Sequence, residues 1–286
     1  MIPPKEITII TPIANMAGRL ETLKDWVAEG LKRGFDIILI HDIKDDQTER
    51  ELTDFVKITN DKYLRLFSGH YGGPGLARNE GLRNTRTNWL CFFDADDKPN
   101  LENIEIEMMT ITNDTDMVIG QYEVLDVLQG GKKIKISTTR NLTDLMINPG
   151  LWRILLKKSF TKQNEFPNLR MGEDQLFLVN LDLGKAEIEY SQKTFYQYYA
   201  NQKTQLTRNI KALDDLRYST KALKDAIKST KHLDELYILY IRQSISGVIR
   251  AGYLTKIICL WRLASITFLR HPTLVVKSLI RIRNGR

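Results

Sequence analysis

The stretch "CFFDADDKPN" places three carboxylates, on Asp94, Asp96 and Asp97, directly after the hydrophobic run "NWLCFF". Such a run bounded by turn residues indicates a buried strand, so the acids follow the point where the strand leaves the sheet. Mg²⁺ and Mn²⁺ prefer oxygen ligands and are often held by one or two carboxylates plus substrate phosphates. Alternatively, Asp96 or Asp97 caps a helix that begins at Pro99. Both interpretations stay open, and different aspartates can serve each role.

A glycine-rich loop precedes this strand. "HYGGPGLARNEGL" places Gly72, Gly73 and Gly75 just before a predicted helix, where backbone N–H groups and the helix N-terminus can approach a phosphate. Arg78 adds a donor suited to phosphate or uracil-like edges. The loop is neither a Walker A motif nor a Gly-x-Gly-x-x-Gly fingerprint, and on its own it would be an ordinary turn.

The elements around these motifs predict an α/β fold. Short β-rich runs such as "ITIITPI" and "DIILIHD" alternate with longer amphipathic segments, which favours a mainly parallel sheet with helices on both faces. In such sheets, ligands bind beyond the carboxyl ends of the strands. Thr11 and Asn15 follow the first strand, His41 and Asp42 end the second, and the three aspartates follow a later one. One pocket at that edge could be lined by all of these residues.

Five segments occur in the order and spacing of one known family: "ITIITPIAN", "IILIHD", "GLARNEGL", "FFDADD" and "MGEDQLF". Over its first 210 residues or so, the chain resembles family 2 glycosyltransferases of the Rossmann-like GT-A fold. The resemblance implies a metal-dependent, inverting transferase with Mn²⁺ or Mg²⁺ as cofactor. Its donor would be a nucleotide-diphosphate sugar, with UDP-sugars as the leading candidates. Its acceptor would be a hydroxyl of a glycan or lipid-linked glycan in surface polysaccharide synthesis.

The resemblance also assigns donor-binding residues. Pro12, Ile13 and Ala14 would border the base and ribose, and Asp42 would contact the base. Asp94 and Asp96 would meet the ribose and the metal, with Asp97 as a further acid. The full donor set is Pro12, Ile13, Ala14, Asp42, Gly75, Arg78, Asp94, Ala95 and Asp96. The chain departs from the family in having His41-Asp42 where two acids are common, and Ile43-Lys44 where Gly-Ser is common.

A second acid motif, "LRMGEDQLF", places Glu173 and Asp174 side by side. From the residues alone, two acids in a first helical turn could simply interact with the helix dipole. The resemblance makes Asp174 the general base that deprotonates the acceptor, with Glu173 as the alternative. Gly172 and Trp152 are the candidate acceptor residues, although a large aromatic such as Trp152 could equally fill the core.

The C-terminal region differs in charge from the rest of the chain. Arg208 to Arg286 contains sixteen Lys and Arg against five Asp and Glu, and no acid follows Glu235. We therefore expect a GT-A domain over 1–207, with a nucleotide-binding half at 1–100 and an acceptor half at 101–207, followed by a basic amphipathic helical extension at 208–286. Its apolar runs are too short to span a bilayer. The expected partner of residues 236–286 is an anionic membrane surface, the alternative being packing on the catalytic domain; nucleic acid is not expected, because no recognisable module accompanies the charge.

The N-terminus lacks the pattern of a secretory signal, and two cysteines cannot form a disulfide framework. We expect a cytoplasmic protein, peripheral on the inner face of the cell membrane. Two other functions compete with glycosyl transfer. A sugar-nucleotide nucleotidyltransferase would require a glycine-rich basic signature after the first strand, where this chain has only Gly18 and Arg19. A non-catalytic glycosyltransferase-like binding protein is the other.

Overall fold

The computed structural model describes residues 1–136, 138–200, 209–229 and 234–264. The chain forms two compact units. The first comprises Met1–Thr138, Leu151–Phe166 and Lys185–Gln202, and the second comprises Thr139–Gly150, Pro167–Gly184 and Lys203–Arg286.

The first unit is built on one mixed sheet. Its described strands are β1 Ile7–Ile13, β2 Asp36–Asp42, β3 Leu64–Gly69, β4 Trp89–Phe92, β5 Lys98–Pro99, β6 Met117–Asp126, β7 Lys132–Ile136, β8 Ile154–Lys157 and β9 Ile188–Ala200. They lie in the order β3-β2-β1-β4-β8-β6-β9-β5, with β7 paired to β6. β3, β2, β1 and β4 are parallel neighbours. The predicted α/β class and the parallel strands are confirmed, and β6 and β7 form an antiparallel hairpin.

The helices of the first unit are α1 Glu21–Arg33, α2 Asp46–Thr59, α3 Pro74–Asn84, α4 Leu101–Met108 and the short α6 Lys158–Thr161. The run "DIILIHD" forms a strand buried along its whole length, as expected for a parallel strand covered on both faces. Side chains from β1, β2 and β4 join Trp26 of α1 in the main hydrophobic core. This buried sheet fixes the positions of the loops that follow its strands.

Two glycines allow close packing in this unit. A Cβ on Gly81 of α3 would lie 2.3 Å from Ile10 Cγ2, and a Cβ on Gly120 of β6 would lie 2.1 Å from Phe195 Cγ. Neither position has room for a side chain, so α3 approaches β1 and β6 approaches β9 at their backbones.

The second unit is helical in its described part. It contains α5 Leu142–Ile147, α7 Glu173–Val179, α8 Ile210–Leu213, α9 Leu216–Ser229, α10 Asp234–Arg250 and α11 Tyr253–Leu263. Within it, α5, α9 and α11 pack on α10, and α7 packs on α9. Within the ranges described, no helix combines the length and the hydrophobicity that crossing a membrane requires.

One local expectation differs from the structure. α4 begins at Leu101 and is capped by Asn100, whose side chain accepts the Asn103 N–H, while Lys98 and Pro99 pair with β9. Asp96 and Asp97 therefore do not cap it. The compact units group α5 and α7 with the C-terminal helices, and the expected GT-A boundary near 208 stays a prediction.

Candidate active site

The acid-rich loop after β4 is a tight turn. The Asp97 N–H donates to Asp94 O at 3.4 Å, so Asp94 to Asp97 is not extended. The Asp94 side chain accepts a hydrogen bond from Arg78 Nη2 at 2.9 Å, and its backbone N–H donates to the Tyr196 hydroxyl at 3.0 Å. Tyr196, which the sequence reasoning missed, is fully buried on β9. The loop is thus held by α3 on one side and by β9 on the other.

Asp97 is buried and accepts the Tyr199 N–H at 2.7 Å. The Tyr196 hydroxyl also hydrogen-bonds to this carboxylate. Burial raises the pKa of Asp97 well above its usual range, and the neighbouring charges of Asp96 and Asp94 raise it further. The contacts tie the acidic loop to β9, so Asp97 has a structural function in this fold.

Asp96 is in a different environment. Burial, followed by repulsion from Asp94, raises the pKa of Asp96 to about 6, while the positive charge of Arg19 opposes that shift. A carboxylate in such a setting gains stability when a cation is brought close to it.

The carboxylates of the acidic loop supply some of the oxygen ligands that a hard divalent cation prefers. In the described ranges, no group of three His, Cys, Asp or Glu side chains converges as a metal-ligand set. Asp97 contacts β9, and the expected trio of Asp94, Asp96 and Asp97 stays a prediction. Asp94 and Asp96 remain, and Mg²⁺ or Mn²⁺ is commonly held by one or two carboxylates completed by substrate phosphates. These two residues could hold the cation.

Arg78, Asn79 and Gly81 of the "ARNEG" segment of α3 each contact a different part of the first unit. Arg78 is buried, pairs with Asp94, and its guanidinium lies 5.6 Å from the centroid of the Phe166 ring. Asn79 is buried and forms two hydrogen bonds to the backbone of Phe166, donating to its O at 2.9 Å and accepting from its N at 2.8 Å. Gly81 lies against Ile10. The motif joins β1, the acidic loop and the segment at Phe166.

Asp42, the predicted base contact, is buried at the end of β2. Its Oδ1 accepts the N–H groups of Tyr71 at 2.8 Å and Gly72 at 3.1 Å, and Lys44 Nζ lies 3.4 Å from Oδ2. Asp42 thus orders the glycine-rich loop before α3. Gly72 in that loop has φ +84°, a conformation that favours glycine.

His41, next to Asp42, is fully buried, and neither ring nitrogen has a hydrogen-bond partner in the part of the chain that the structure describes. Burial lowers the pKa of His41, and the charges of Glu49, Asp45 and Asp42 oppose that shift. His41 is therefore held neutral beside the predicted nucleotide site.

The remaining predicted donor residues differ in accessibility. Pro12 pairs with Ile40 inside the sheet, Ile13 is buried, and Ala14 is exposed just after β1. Gly75 lies buried in the first turn of α3, and Ala95 is buried in the acidic loop.

Trp152 packs against aromatic side chains of its own unit. Its ring stacks on Tyr196 with centroids 4.6 Å apart and on Tyr198 with centroids 5.8 Å apart, and it meets Tyr122 edge-on. It also packs on the main core. These contacts favour the core interpretation of Trp152.

The second acid motif begins α7 in the helical unit. Gly172 precedes the helix with φ +86°, and a Cβ there would lie 2.4 Å from Gln243 Nε2 and 2.8 Å from Ser219 Oγ. Glu173 is buried, while Asp174 is half-buried and accepts the Gln175 N–H at 2.8 Å. Both the backbone conformation and the close packing at position 172 therefore require glycine.

Gln243 of α10, which the sequence reasoning missed, is buried, and neither of its amide atoms has a hydrogen-bond partner within the described residues. Nothing in the local sequence of α10 marks it, because its relation to the acid motif arises only from packing within the helical unit.

Comparisons with known proteins agree on one family. The sequence profile of "Glycosyl transferase family 2" matches residues 8–180, more than half of the chain. Over 209 residues the chain is 25% identical to the poly(ribitol-phosphate) beta-N-acetylglucosaminyltransferase TarP of Staphylococcus aureus (strain N315), covering 68% of this chain and 62% of TarP. For several longer curated relatives, the match covers only 30–32% of their length.

Solved structures share the fold. S. aureus TarS 1–349 in complex with UDP-GlcNAc matches with a TM-score of 0.66 and 17% identity, over 98% of this chain and 81% of that one. The mannosyltransferase PcManGT of Pyrobaculum calidifontis, in complex with GDP-Man and Mn²⁺, matches with a TM-score of 0.59 and 12% identity, over 97% and 87%. At these identities the likeness establishes the fold alone, which is the predicted GT-A fold. The profile match decides against the nucleotidyltransferase alternative: the chain belongs to glycosyl transferase family 2 and is a glycosyltransferase.

Proposed function

We propose that this protein is a metal-dependent inverting glycosyltransferase that moves a sugar from a nucleotide-diphosphate donor, with UDP-sugars first, to a hydroxyl of a glycan or lipid-linked glycan in surface polysaccharide synthesis. The observation that carries the proposal is the acidic loop after β4. There Asp94 is paired with Arg78, and the pKa of Asp96 is raised to about 6 by burial and by Asp94.

On the donor side, Asp94 and Asp96 would meet the ribose and hold the cation, Asp42 would hydrogen-bond the base, and Pro12 to Ala14 would border the base and ribose. Arg78 acts through Asp94, because its guanidinium already donates to that carboxylate. When bound, Mn²⁺ or Mg²⁺ would supply positive charge against the leaving diphosphate. TarS and PcManGT with their nucleotide sugars, the latter also with Mn²⁺, support this assignment.

On the acceptor side, Asp174 is the general base and Glu173 its alternative. The Asp174 carboxylate takes the proton of the acceptor hydroxyl while that oxygen forms a bond to the anomeric carbon. The bond from that carbon to the diphosphate breaks at the same time, and the nucleoside diphosphate leaves with the electron pair. Inversion at the anomeric carbon follows from this single displacement. Half-exposure of Asp174 favours it over the buried Glu173.

The names of the relatives suggest the class of acceptor. TarP and a Bacillus relative are described as poly(ribitol-phosphate) glycosyltransferases, enzymes that act on a polyol-phosphate polymer. A polymer of that kind or another surface glycan is our proposed acceptor. We further place the enzyme on the inner face of the cell membrane, because the sequence after Glu235 carries nine Lys and Arg and no acid.

The donor half of the proposal is tested by thermal shift. UDP, GDP, CMP, dTDP and UDP- and GDP-sugars are each added with and without Mn²⁺, and the true ligand raises the melting temperature by mass action. Asp96→Asn should lose the metal-dependent part of the shift. Asp114→Asn, at an exposed turn, is the matched control and should keep it. An equal shift in all three proteins would contradict the carboxylate assignment.

The acceptor half is tested by comparing Asp174→Asn with Glu173→Gln. Asp174→Asn should abolish sugar transfer but retain the nucleotide-induced thermal shift. Glu173→Gln should retain transfer, with a lower melting temperature because the carboxylate is buried. Full turnover in Asp174→Asn would remove Asp174 as the base, and loss in Glu173→Gln alone would move that role to Glu173.

A further inference from the structure

Helix α11 of the helical unit exposes an apolar face. Five residues share it, with exposed fractions between 47% and 81%: Tyr253, Leu254, Ile257, Leu260 and Trp261. Their spacing puts them on one side of a helix of 3.6 residues per turn. Thr255 and Cys259 on the opposite side are buried. α11 is therefore amphipathic, with its aromatic and aliphatic side facing away from its own unit.

Polar contacts hold α11 in this orientation. The Gly252 N–H donates to Asp214 Oδ1 at 3.0 Å, and Thr255 Oγ1 donates to the same oxygen at 2.9 Å. Near the other end, Arg262 Nη1 donates to Thr220 Oγ1 of α9 at 2.7 Å. The buried side of the helix is thus fixed from both ends, which keeps the apolar face exposed.

Cations lie on α11 and near it. Lys256 of α11 and Arg250 at the end of α10 are exposed, and Lys224 Nζ of α9 lies 5.3 Å from the centroid of the Trp261 ring. The sequence from 265 to 286 adds five Lys and Arg and no Asp or Glu. A partner that covers the face must accept this concentration of cations.

We propose that the apolar face of α11 inserts into the interfacial layer of an anionic lipid membrane. Trp and Tyr favour the membrane interface, and an amphipathic helix with aromatic and leucine side chains on one side and cations beside it lies in that plane. Anionic headgroups attract the surrounding Lys and Arg. A second copy of the chain fits less well, because pairing two such faces would bring like charges together. The proposed membrane contact rests on α11 and does not depend on the residues proposed to carry out glycosyl transfer.

The described cations of residues 236–264 lie on two helices. α10 ends at Arg250 and α11 begins at Tyr253, and Arg262 bonds to α9. The proposed lipid contact is the apolar side of α11, with the exposed cations at its border.

The intrinsic tryptophan fluorescence of the full chain reports on the proposed contact between α11 and the membrane. Trp26 and Trp89 are buried and Trp152 is stacked on tyrosines, so Trp261 is the exposed reporter. Vesicles of phosphatidylcholine with phosphatidylglycerol should shift the emission to the blue, and lipids with a doxyl group near the headgroup should quench it. Vesicles of phosphatidylcholine alone should do neither. Trp261→Phe should remove the signal while the protein still floats with the anionic vesicles.

Paired charge substitutions test the face itself. Ile257→Asp combined with Leu260→Asp should reduce co-flotation by about tenfold or more, because the membrane contact loses two aliphatic side chains that the lipid would cover. Ile58→Asp, on an exposed residue of α2, is the matched control and should float like the parent. Both positions of the double variant are exposed, and circular dichroism checks that it folds.

Three results would overturn the proposal. The full chain could fail to bind anionic vesicles at low salt. The double variant could bind like the parent, which would assign binding to residues after 264. A concentration-dependent dimer that the double variant abolishes, without vesicle binding, would instead make the face a contact between copies.

Discussion

Replacing Asn79 by Leu should destabilise the first unit more than any other single change in the "ARNEG" segment that keeps side-chain volume. The Asn79 amide is buried and forms hydrogen bonds to both backbone polar groups of Phe166, 87 residues further along the chain. Leucine fills similar space but can neither donate nor accept. The N–H and C=O of Phe166 would then lose these two partners inside the protein.

The expected cost follows from those two bonds. Leaving a buried donor or acceptor unsatisfied costs about 1–3 kcal/mol each, so we expect a loss of about 2–4 kcal/mol after the gain from burying leucine. For a domain of this size that corresponds to a fall in melting temperature on the order of 5–15 °C. The ring of Phe166 lies under the Arg78 guanidinium, so nucleotide-dependent stabilisation should weaken as well.

Thermal melts and urea titrations of Asn79→Leu and Asn84→Leu provide the measurement. Asn84 lies on the same helix and is half-buried, and among the described residues its amide bonds to Glu80 in the preceding turn. Asn84→Leu should cost less than about 1 kcal/mol, because it removes bonds within one helical turn and leaves no distant backbone group without a partner. A melting temperature of Asn79→Leu within about 2 °C of the parent, or equal losses in both variants, would refute the reasoning.

Three further predictions concern other parts of the molecule. Gly120→Ala should lower the free energy of unfolding by about 2 kcal/mol or more, because its Cβ would overlap the ring of Phe195; a melt equal to that of the parent would contradict this. Burial lowers the pKa of His41 in the folded state, so its contribution to stability is complete above about pH 6.5 and decreases as the pH falls toward the folded value. His41→Gln should reduce the difference in free energy of unfolding that urea titrations give between high and low pH. An unchanged difference would exclude a contribution of His41. Arg170→Met should lower the free energy of unfolding by about 1 kcal/mol, because Asp215 loses the guanidinium but retains the Arg170 N–H, and a urea titration equal to that of the parent would contradict this.

Local pattern was sufficient to predict the sheet. Runs of β-branched and aliphatic residues such as "DIILIHD" become buried parallel strands, because a strand covered on both faces needs apolar side chains at every position. The acids of "DADD" fall at the end of β4 for the same reason, since carboxylates cannot continue a buried strand at low cost. The resemblance to a family added roles to these residues that their spacing alone did not.

Long-range partners could not be predicted. The bond from Asp97 to the Tyr199 N–H joins residues 102 apart, and the bonds from Asn79 to Phe166 join residues 87 apart. Neither pair has a local signal, because hydrophobic periodicity reports which face of an element is buried and not which polar group it meets there. The packing of α5 with the C-terminal helices was missed for the same reason.

The four residues of "DADD" separate into two electrostatic environments because the chain turns between them. Asp97 is enclosed by β9, where the Tyr199 N–H and the Tyr196 hydroxyl occupy its carboxylate, so it secures the loop. Asp94 and Asp96 lie on the other part of the turn, where Arg78 and Arg19 provide positive charge. The charges of Asp94 and Asp96 also raise the pKa of Asp97, so the two environments stay coupled across the turn. We propose that Asp97 secures the loop while Asp94 and Asp96 hold the cation.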